Sequence, residues 1–123
     1  MGFKFTKNHE WVKIEEGTAY IGISDYAQQH LSDIVFVDLP KVGVKLTAGK
    51  VFASVESVKA VSDVYAPIGG TVIEISEALE NAPELLNENA LENWLVKIEP
   101  ADIAEADALM DEDAYTVFCQ HAE

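Results

Sequence analysis

The sequence predicts a mainly β, β-rich α+β chain, either an open α+β arrangement or a β sandwich capped by helices. Three observations predict it. Short runs rich in β-branched and aromatic residues, separated by Gly, Pro or Asn, fill roughly the first hundred residues. Helical patterning is confined to brief segments and to the C-terminal end. With 123 residues and 49% hydrophobic content, the chain can build one domain with a real core, and not two.

Taken in order, Phe3-Lys4-Phe5-Thr6 alternates and reads as an edge strand, and Lys7 to Glu10 as a polar turn. Trp11–Ile14 and Thr18–Ile23 make a hairpin across Glu15-Glu16-Gly17. Ser24 is a good N-cap for a short helix from Asp25 to Leu31, with the acid of Asp25 in its first turn. Ile34 to Leu39 is almost continuously apolar, which predicts a strand buried on both faces. Pro40 and Gly43 end it, and Val44-Lys45-Leu46 leads on.

Val51–Glu56 and Val61–Ala66 predict a hairpin, 51–66, because few residues separate two β-rich runs. Lys59 falls near its tip, facing solvent; a lysine on a turn ordinarily serves only solubility. Pro67 to Gly70 breaks the chain, and Thr71–Ile75 begins another strand. Ser76 caps a turn through Leu79, and Pro83 suits the first helical position of Glu84–Asn87. Trp94–Ile98 is the last strand, closed by Pro100. Asp102 and Glu105 have capping-box spacing, opening a helix with Ile103, Ala106 and Met110 on one face. A final helix starts at Asp111–Asp113 and runs to about Gln120, so that 101–121 forms a helical segment.

The charge excludes whole classes of function. Acids outnumber bases 22 to 8, for a net charge of −14, and every base is lysine. Such a chain lacks the cationic patch that a nucleic acid or an anionic membrane surface requires. It favours partners with basic docking surfaces. Glu99, Asp102, Glu105, Asp107, Asp111, Glu112, Asp113 and Glu123 read as a solvated acidic face. The single Cys119, in an apolar pattern with Tyr115 and Phe118, reads as a buried, inert thiol and permits no internal disulfide. No apolar run reaches membrane-spanning length, and Met1 to Lys4 opens neither a signal h-region nor an Arg-rich transit segment. His9, His30 and His121 lack metal-ligand spacing, and neither a phosphate loop nor a nucleophile elbow occurs.

What remains is Lys59. Glu56-Ser57-Val58-Lys59-Ala60, then Ser62-Asp63 and Tyr65-Ala66-Pro67-Ile68-Gly69-Gly70, resembles the lipoyl-attachment hairpin of the glycine cleavage system H-protein family. His9-Glu10-Trp11-Val12, Gly22 to Gln28, Asp33 to Pro40, Pro83 to Asn87 and Trp94 to Ile98 continue the resemblance in order over nearly the whole chain. Biotin carriers usually have methionines beside their lysine, where this chain has Val58 and Ala60. The lipoyl domains of 2-oxoacid dehydrogenases are shorter and usually place an acid before it. Ser32 stands where the family usually has glycine, as does Asn93 before Trp94, in a loop about one residue shorter than is typical. A lost glycine there implies a changed backbone, although asparagine tolerates positive φ.

The resemblance implies one lipoyl-carrier domain over residues 1–123, a flattened barrel-sandwich of two antiparallel sheets with short helices and a helical C-terminus. It implies lipoate in amide linkage to Lys59, with Glu56 read by the lipoyl ligase or transferase. The arm then accepts the aminomethyl group of glycine from the P-protein (glycine decarboxylase) and passes the one-carbon unit to the T-protein (aminomethyltransferase). The L-protein (dihydrolipoyl dehydrogenase) reoxidises the dithiol. Glu10 and His30 match family positions around a cleft that shelters the loaded arm. The chain is thus expected to be a carrier rather than an enzyme, cytoplasmic in a bacterium or in the mitochondrial matrix of a eukaryote. An H-like carrier serving lipoyl relay or redox adaptation outside glycine cleavage is the alternative, and an unmodified scaffold is the third reading.

Overall fold

Two antiparallel sheets face each other in the computed structural model, which describes residues 2–121. Glu123, counted above with the C-terminal acids, lies outside the described residues. The larger sheet has the order β1-β2-β3-β9-β8-β5 and the smaller β4-β6-β7. In chain order the strands are β1 (Lys4–Phe5), β2 (Glu10–Glu15), β3 (Thr18–Ile23), β4 (Ile34–Asp38), β5 (Lys45–Leu46), β6 (Val51–Ser57), β7 (Val61–Tyr65), β8 (Gly70–Ile75) and β9 (Val96–Pro100). The helices are α1 (Asp25–Leu31), α2 (Glu77–Asn81), α3 (Leu85–Glu88) and α4 (Glu112–Gln120), with a 3₁₀ helix at Ile103–Ala108. This is the two-sheet, mainly β architecture expected, and the ladders do not close into a barrel.

Local chemistry accounts for the first hairpin. Glu15 pairs with Thr18, and the two residues between, Glu16 (φ 50°) and Gly17 (φ 81°), both take positive φ. That is the turn whose twist matches paired strands. Alternation in β2 and β3 then sends Val12, Ile14, Ala19 and Ile21 inward. They meet Val37, Val55 and Val64 from the smaller sheet, with Ile68, Val72, Leu79, Leu86, Leu95 and Ile98 filling the rest. Burying a side chain of this kind contributes about 1.5–3 kcal/mol.

A second, aromatic cluster docks α4 across β1 and β2. Phe5 stacks on Tyr115 with centroids 4.3 Å apart, and Phe5 and Met110 exchange backbone hydrogen bonds. The Trp11 indole donates to Ala90 O at 3.2 Å and lies over Gly22, its partner in the ladder. A Cβ on Gly22 would stand 2.6 Å from the indole ring, so only glycine leaves the ring its place.

Several expectations are corrected. β4 is not buried on both faces: Ile34 and Val37 are buried, but Val35 and Phe36 are about half exposed. A register shift between Ile34 and Phe36 breaks strict alternation. Pro83 precedes Glu84, the N-cap of α3, instead of starting the helix. The last strand begins at Val96 and includes Pro100. Asp102 caps as expected, accepting from Ala104 N, but it opens a 3₁₀ turn, and Ile103 is exposed. Glu105 does not close a capping box; its carboxylate accepts from Gly69 N at 2.8 Å. Cys119 is partly rather than fully buried.

The two missing glycines behave differently. Asn93 has no positive φ; its amide donates to Leu85 O, in the first residue of α3, and to Asn89 O, its C-cap. Ser32 does take the glycine conformation, with φ 65° and ψ −140°. Such a backbone costs a non-glycine residue about 1–3 kcal/mol, partly offset by glycine's greater freedom when unfolded. Ser32→Gly is therefore expected to stabilise the chain by about 1 kcal/mol, read as a higher midpoint in urea. An unchanged or lower midpoint contradicts the strain.

Candidate functional site

β6 and β7 form the 51–66 hairpin, and its turn is organised by Ser57. Ser57 N donates to Ala60 O at 2.8 Å. Ser57 Oγ accepts from Ala60 N at 3.1 Å and from Lys59 N at 3.3 Å. The serine thus supplies the polar partners that a tight turn leaves unmet. Outside the hairpin, Val58 N donates to Asp33 O at 3.0 Å, tying the tip to the segment between α1 and β4. The backbone at Lys59 is held from two sides while its side chain is exposed. Among the described residues the ion pairs are Lys13–Glu15 and Lys97–Glu74, so the Lys59 amine is unpaired. A primary amine that is exposed, unpaired and fixed at its root suits acylation by a carboxylic acid.

Glu56 lies on the outer face of β6, exposed, opposite Phe36 on β4 and Val61 on β7. It shares the hairpin with Lys59 but makes no ion pair with it.

Glu10, expected beside a cleft, has a buried side chain. Glu10 is 2% exposed. One carboxylate oxygen accepts from Thr6 Oγ1 at 2.5 Å and the other from Tyr65 N, at the base of the hairpin, at 3.1 Å. The side chain therefore bridges the two sheets. Burial pushes its pKa up, and the hydrogen bonds from Thr6 and Tyr65 offset only part of that. The sign follows: a raised folded-state pKa makes stability fullest below the ordinary value of 4.5 and lost as pH rises through the folded value. Glu10→Gln keeps an acceptor for Tyr65 N and removes the ionisation. The variant's stability relative to wild type is expected to grow between pH 4 and pH 7, measured by denaturation across pH. A flat difference contradicts the raised pKa.

His30 lies exposed on α1. Glu10 and His30 are not in contact, yet a stack of rings links them. His9, the neighbour of Glu10, stacks on Tyr26 at 4.3 Å, and Tyr26 stacks on His30 at 4.2 Å. His9 Nδ1 is 2.6 Å from the Tyr115 hydroxyl, which is 2.7 Å from Ser24 Oγ, the N-cap of α1. Burial and the nearby His30 lower the His9 pKa, and burial raises that of Tyr115. The polar chain thus joins the turn before β2, the N-cap of α1 and α4. From His30, α1 leads through Ser32 to Asp33, whose carbonyl holds the hairpin tip.

Sequence reading missed Ser57, Asp33 and the ring stack. A serine ending a strand just before a tight turn is a recognisable signal for the first. The spacing of Tyr26 and His30 is a helical i,i+4 pair, legible once α1 is granted. Nothing local links His9 to Tyr115, or Asp33 to Val58. Among the described residues no group of three or more His, Cys, Asp or Glu side chains is placed to hold a metal ion. No helix there is long and apolar enough to cross a membrane.

A family model described as Glycine cleavage H-protein matches residues 3–122. The glycine cleavage system H protein of Acidobacterium capsulatum is 55% identical over 116 residues, spanning 94% of this chain and 90% of that one. That of Thermotoga maritima is 50% identical over 117 residues, 94% of each chain. The crystal structure of a glycine cleavage system H protein from Mycobacterium marinum matches with a TM-score of 0.87 at 31% identity, covering 98% of this chain and 97% of that one.

Proposed function

The chain belongs to the glycine cleavage H-protein family, the lipoyl carriers of the glycine cleavage system, and we propose that it bears its lipoyl group in amide linkage on Lys59. The observation that carries this reading is the Lys59 amine itself, exposed and unpaired on a turn fixed by Ser57 and Asp33. A bound lipoyl group supplies a dithiolane that takes up the aminomethyl unit of glycine and is regenerated by oxidation.

The chain's own residues do the positioning. Ser57 fixes the turn, and the Asp33 carbonyl keeps the tip against α1. Amide formation removes the lysine charge and leaves the root in place. Val61 to Tyr65 spans about 13 Å at strand rise, so a long arm on Lys59 covers the distance back toward Glu10. Glu10 and His30 are the proposed receivers of the loaded arm. His30 offers an exposed ring on α1, and Glu10 a carboxylate that the approach of a cation would favour in its ionised form.

The whole of residues 1–123 is proposed as the carrier unit, acting as a substrate-bearing component and not as an enzyme by itself. Its proposed partners are the P-, T- and L-proteins and a lipoyl ligase or transferase. Its compartment follows theirs, the cytoplasm of a bacterium or the matrix of a mitochondrion. Intact-mass measurement after incubation with a lipoyl ligase, lipoate and ATP tests the reading. One added lipoyl group, mapped to the peptide containing Lys59, supports it; no addition, or addition elsewhere, overturns it.

A further inference from the structure

The outer face of the larger sheet points away from the hairpin and carries side chains that the carrier role leaves unused. Lys13 on β2, Tyr20 on β3, Lys97 on β9 and Glu74 on β8 stand opposite one another as one rung across it. Two depressions meet there at Trp94. One, of about 640 Å³, is walled by Phe3, Trp11, Tyr20, Leu91 and Trp94. The other, of about 490 Å³, runs from Trp94 to Ile73 and Val42, which are 46% and 61% exposed. The charge on this face is one-sided. Lys13 Nζ lies 5.2 Å from the centre of the Phe3 ring and 3.1 Å from Glu15. Lys97 Nζ lies 5.1 Å from the Tyr20 ring, 4.9 Å from the Trp94 ring and 3.2 Å from Glu74. Each cation thus sits over a ring and against an acid, the pairing that such rings favour. Both lysines are used up in this way. Glu92 borders the first depression and Glu77 the second, and Glu16 borders a hollow that adjoins the first at Glu15 and Tyr20. These three glutamates are exposed, and none of them joins an ion pair among the described residues.

We propose that this face docks a basic amphipathic helix of a partner protein, with its apolar side on Tyr20, Trp94 and Ile73 and its arginines at Glu16, Glu77 and Glu92. Charge selects a cationic occupant and disfavours a second copy of this chain, whose net charge is −14. Arginine suits the rim because its planar cation both stacks on rings and pairs with carboxylates. Topology selects a helix. β2, β3, β9 and β8 each have neighbours on both sides, so an added strand would find no edge to pair with. A helix brings its own backbone partners and needs only a groove. The four strands side by side span about 15 Å, the length of about ten helical residues. The two sheets face each other, so a helix seated here leaves the Lys59 turn uncovered. A carrier held from this side keeps its arm free to travel, whichever enzyme the arm visits.

Both of the chain's tryptophans, Trp11 and Trp94, border the face, so their emission reports its occupation. The test is titration of the full-length chain with a synthetic helical peptide of about fourteen residues. Its leucines follow i, i+3, i+4, i+7 spacing, its other positions are arginine and alanine, and it holds no tryptophan or tyrosine. We expect a saturable change in tryptophan emission. The Kd should rise about tenfold in Glu16→Gln/Glu77→Gln/Glu92→Gln and about fivefold in Ile73→Thr. Asp38→Asn/Asp63→Asn/Asp107→Asn removes the same charge from elsewhere and should leave the Kd within about twofold. Equal weakening by the two triple variants would reduce the attraction to net charge and overturn the surface. Unaltered emission up to about 1 mM peptide would overturn it too. Should the glutamate variant melt early, Glu16→Gln/Glu92→Gln, confined to turns, reads the same Kd. Bound peptide should leave amide exchange in the 51–66 hairpin unchanged; slowed exchange there puts the helix on the other sheet and defeats the proposal. Should wild type sediment as a dimer that Ile73→Thr dissociates, a second copy covers the face and the proposal fails.

Discussion

Lys59→Arg is expected to leave the fold unchanged and to abolish the carrier function. Lys59 is exposed and unpaired, so the substitution should alter stability by no more than about 0.5 kcal/mol. Arginine keeps the charge but offers a guanidinium instead of a primary amine, and it stays protonated at any working pH. No amide forms on it. In a mixture with P- and T-proteins, lipoylated wild type should support exchange between glycine carboxyl and bicarbonate. The variant should give the rate of a mixture lacking the chain, with no lipoyl mass added. Full exchange by the variant would move the attachment site elsewhere. Full lipoylation of wild type without exchange would favour the carrier serving outside glycine cleavage.

Gly70→Ala should produce the largest loss of stability among single-methyl changes. Gly70 sits in the larger sheet, paired with Leu46 on one side and Pro100 on the other. A Cβ there would meet Glu99 O at 2.4 Å and Ile98 Cδ1 at 3.0 Å. The first is backbone in a neighbouring strand and has no rotamer to retreat to. Overpacking costs about 1–3 kcal/mol where side chains can shift, so about 3 kcal/mol or more is expected here. That corresponds to a fall of roughly 10 °C in Tm for a domain of this size. A scanning calorimetry trace within 2 or 3 °C of wild type would contradict the contact. Since Gly70 follows the hairpin closely in sequence, the damage should also show as faster amide exchange in β7, next to the Lys59 turn.

The sequence revealed whatever its own neighbours decide. The β2–β3 turn, the Ser24 cap and the 51–66 hairpin all rest on residues within a few positions of each other, and the structure has them where they were expected. Legibility ended where a partner lies far along the chain. Glu105 has the spacing of a capping box, yet Gly69 N, 36 residues away, takes its carboxylate. Glu10 looks like a surface acid before a strand, and only its bonds to Thr6 and to Tyr65 show why it is buried. Phe36 sits in a run apolar enough for a two-sided core, and one register shift turns it outward. The lysine itself was legible in place but not in mounting: Ser57 and Asp33 supply that, the latter from 25 residues upstream of its partner.

The buried carboxylate of Glu10 has a further effect on how chains meet one another. β7 is an outer strand of its sheet, and outer strands with free N–H groups recruit strands from other molecules. By taking the N–H of Tyr65, Glu10 removes one such group from the free side of β7. The remaining borders are poor templates as well. β1 and β5, which bound the larger sheet, are two residues long, and β4 is kinked by its register shift. A protein that exposes phenylalanine and valine beside a reactive amine thus offers other chains its side chains for recognition while giving them little backbone to polymerise on.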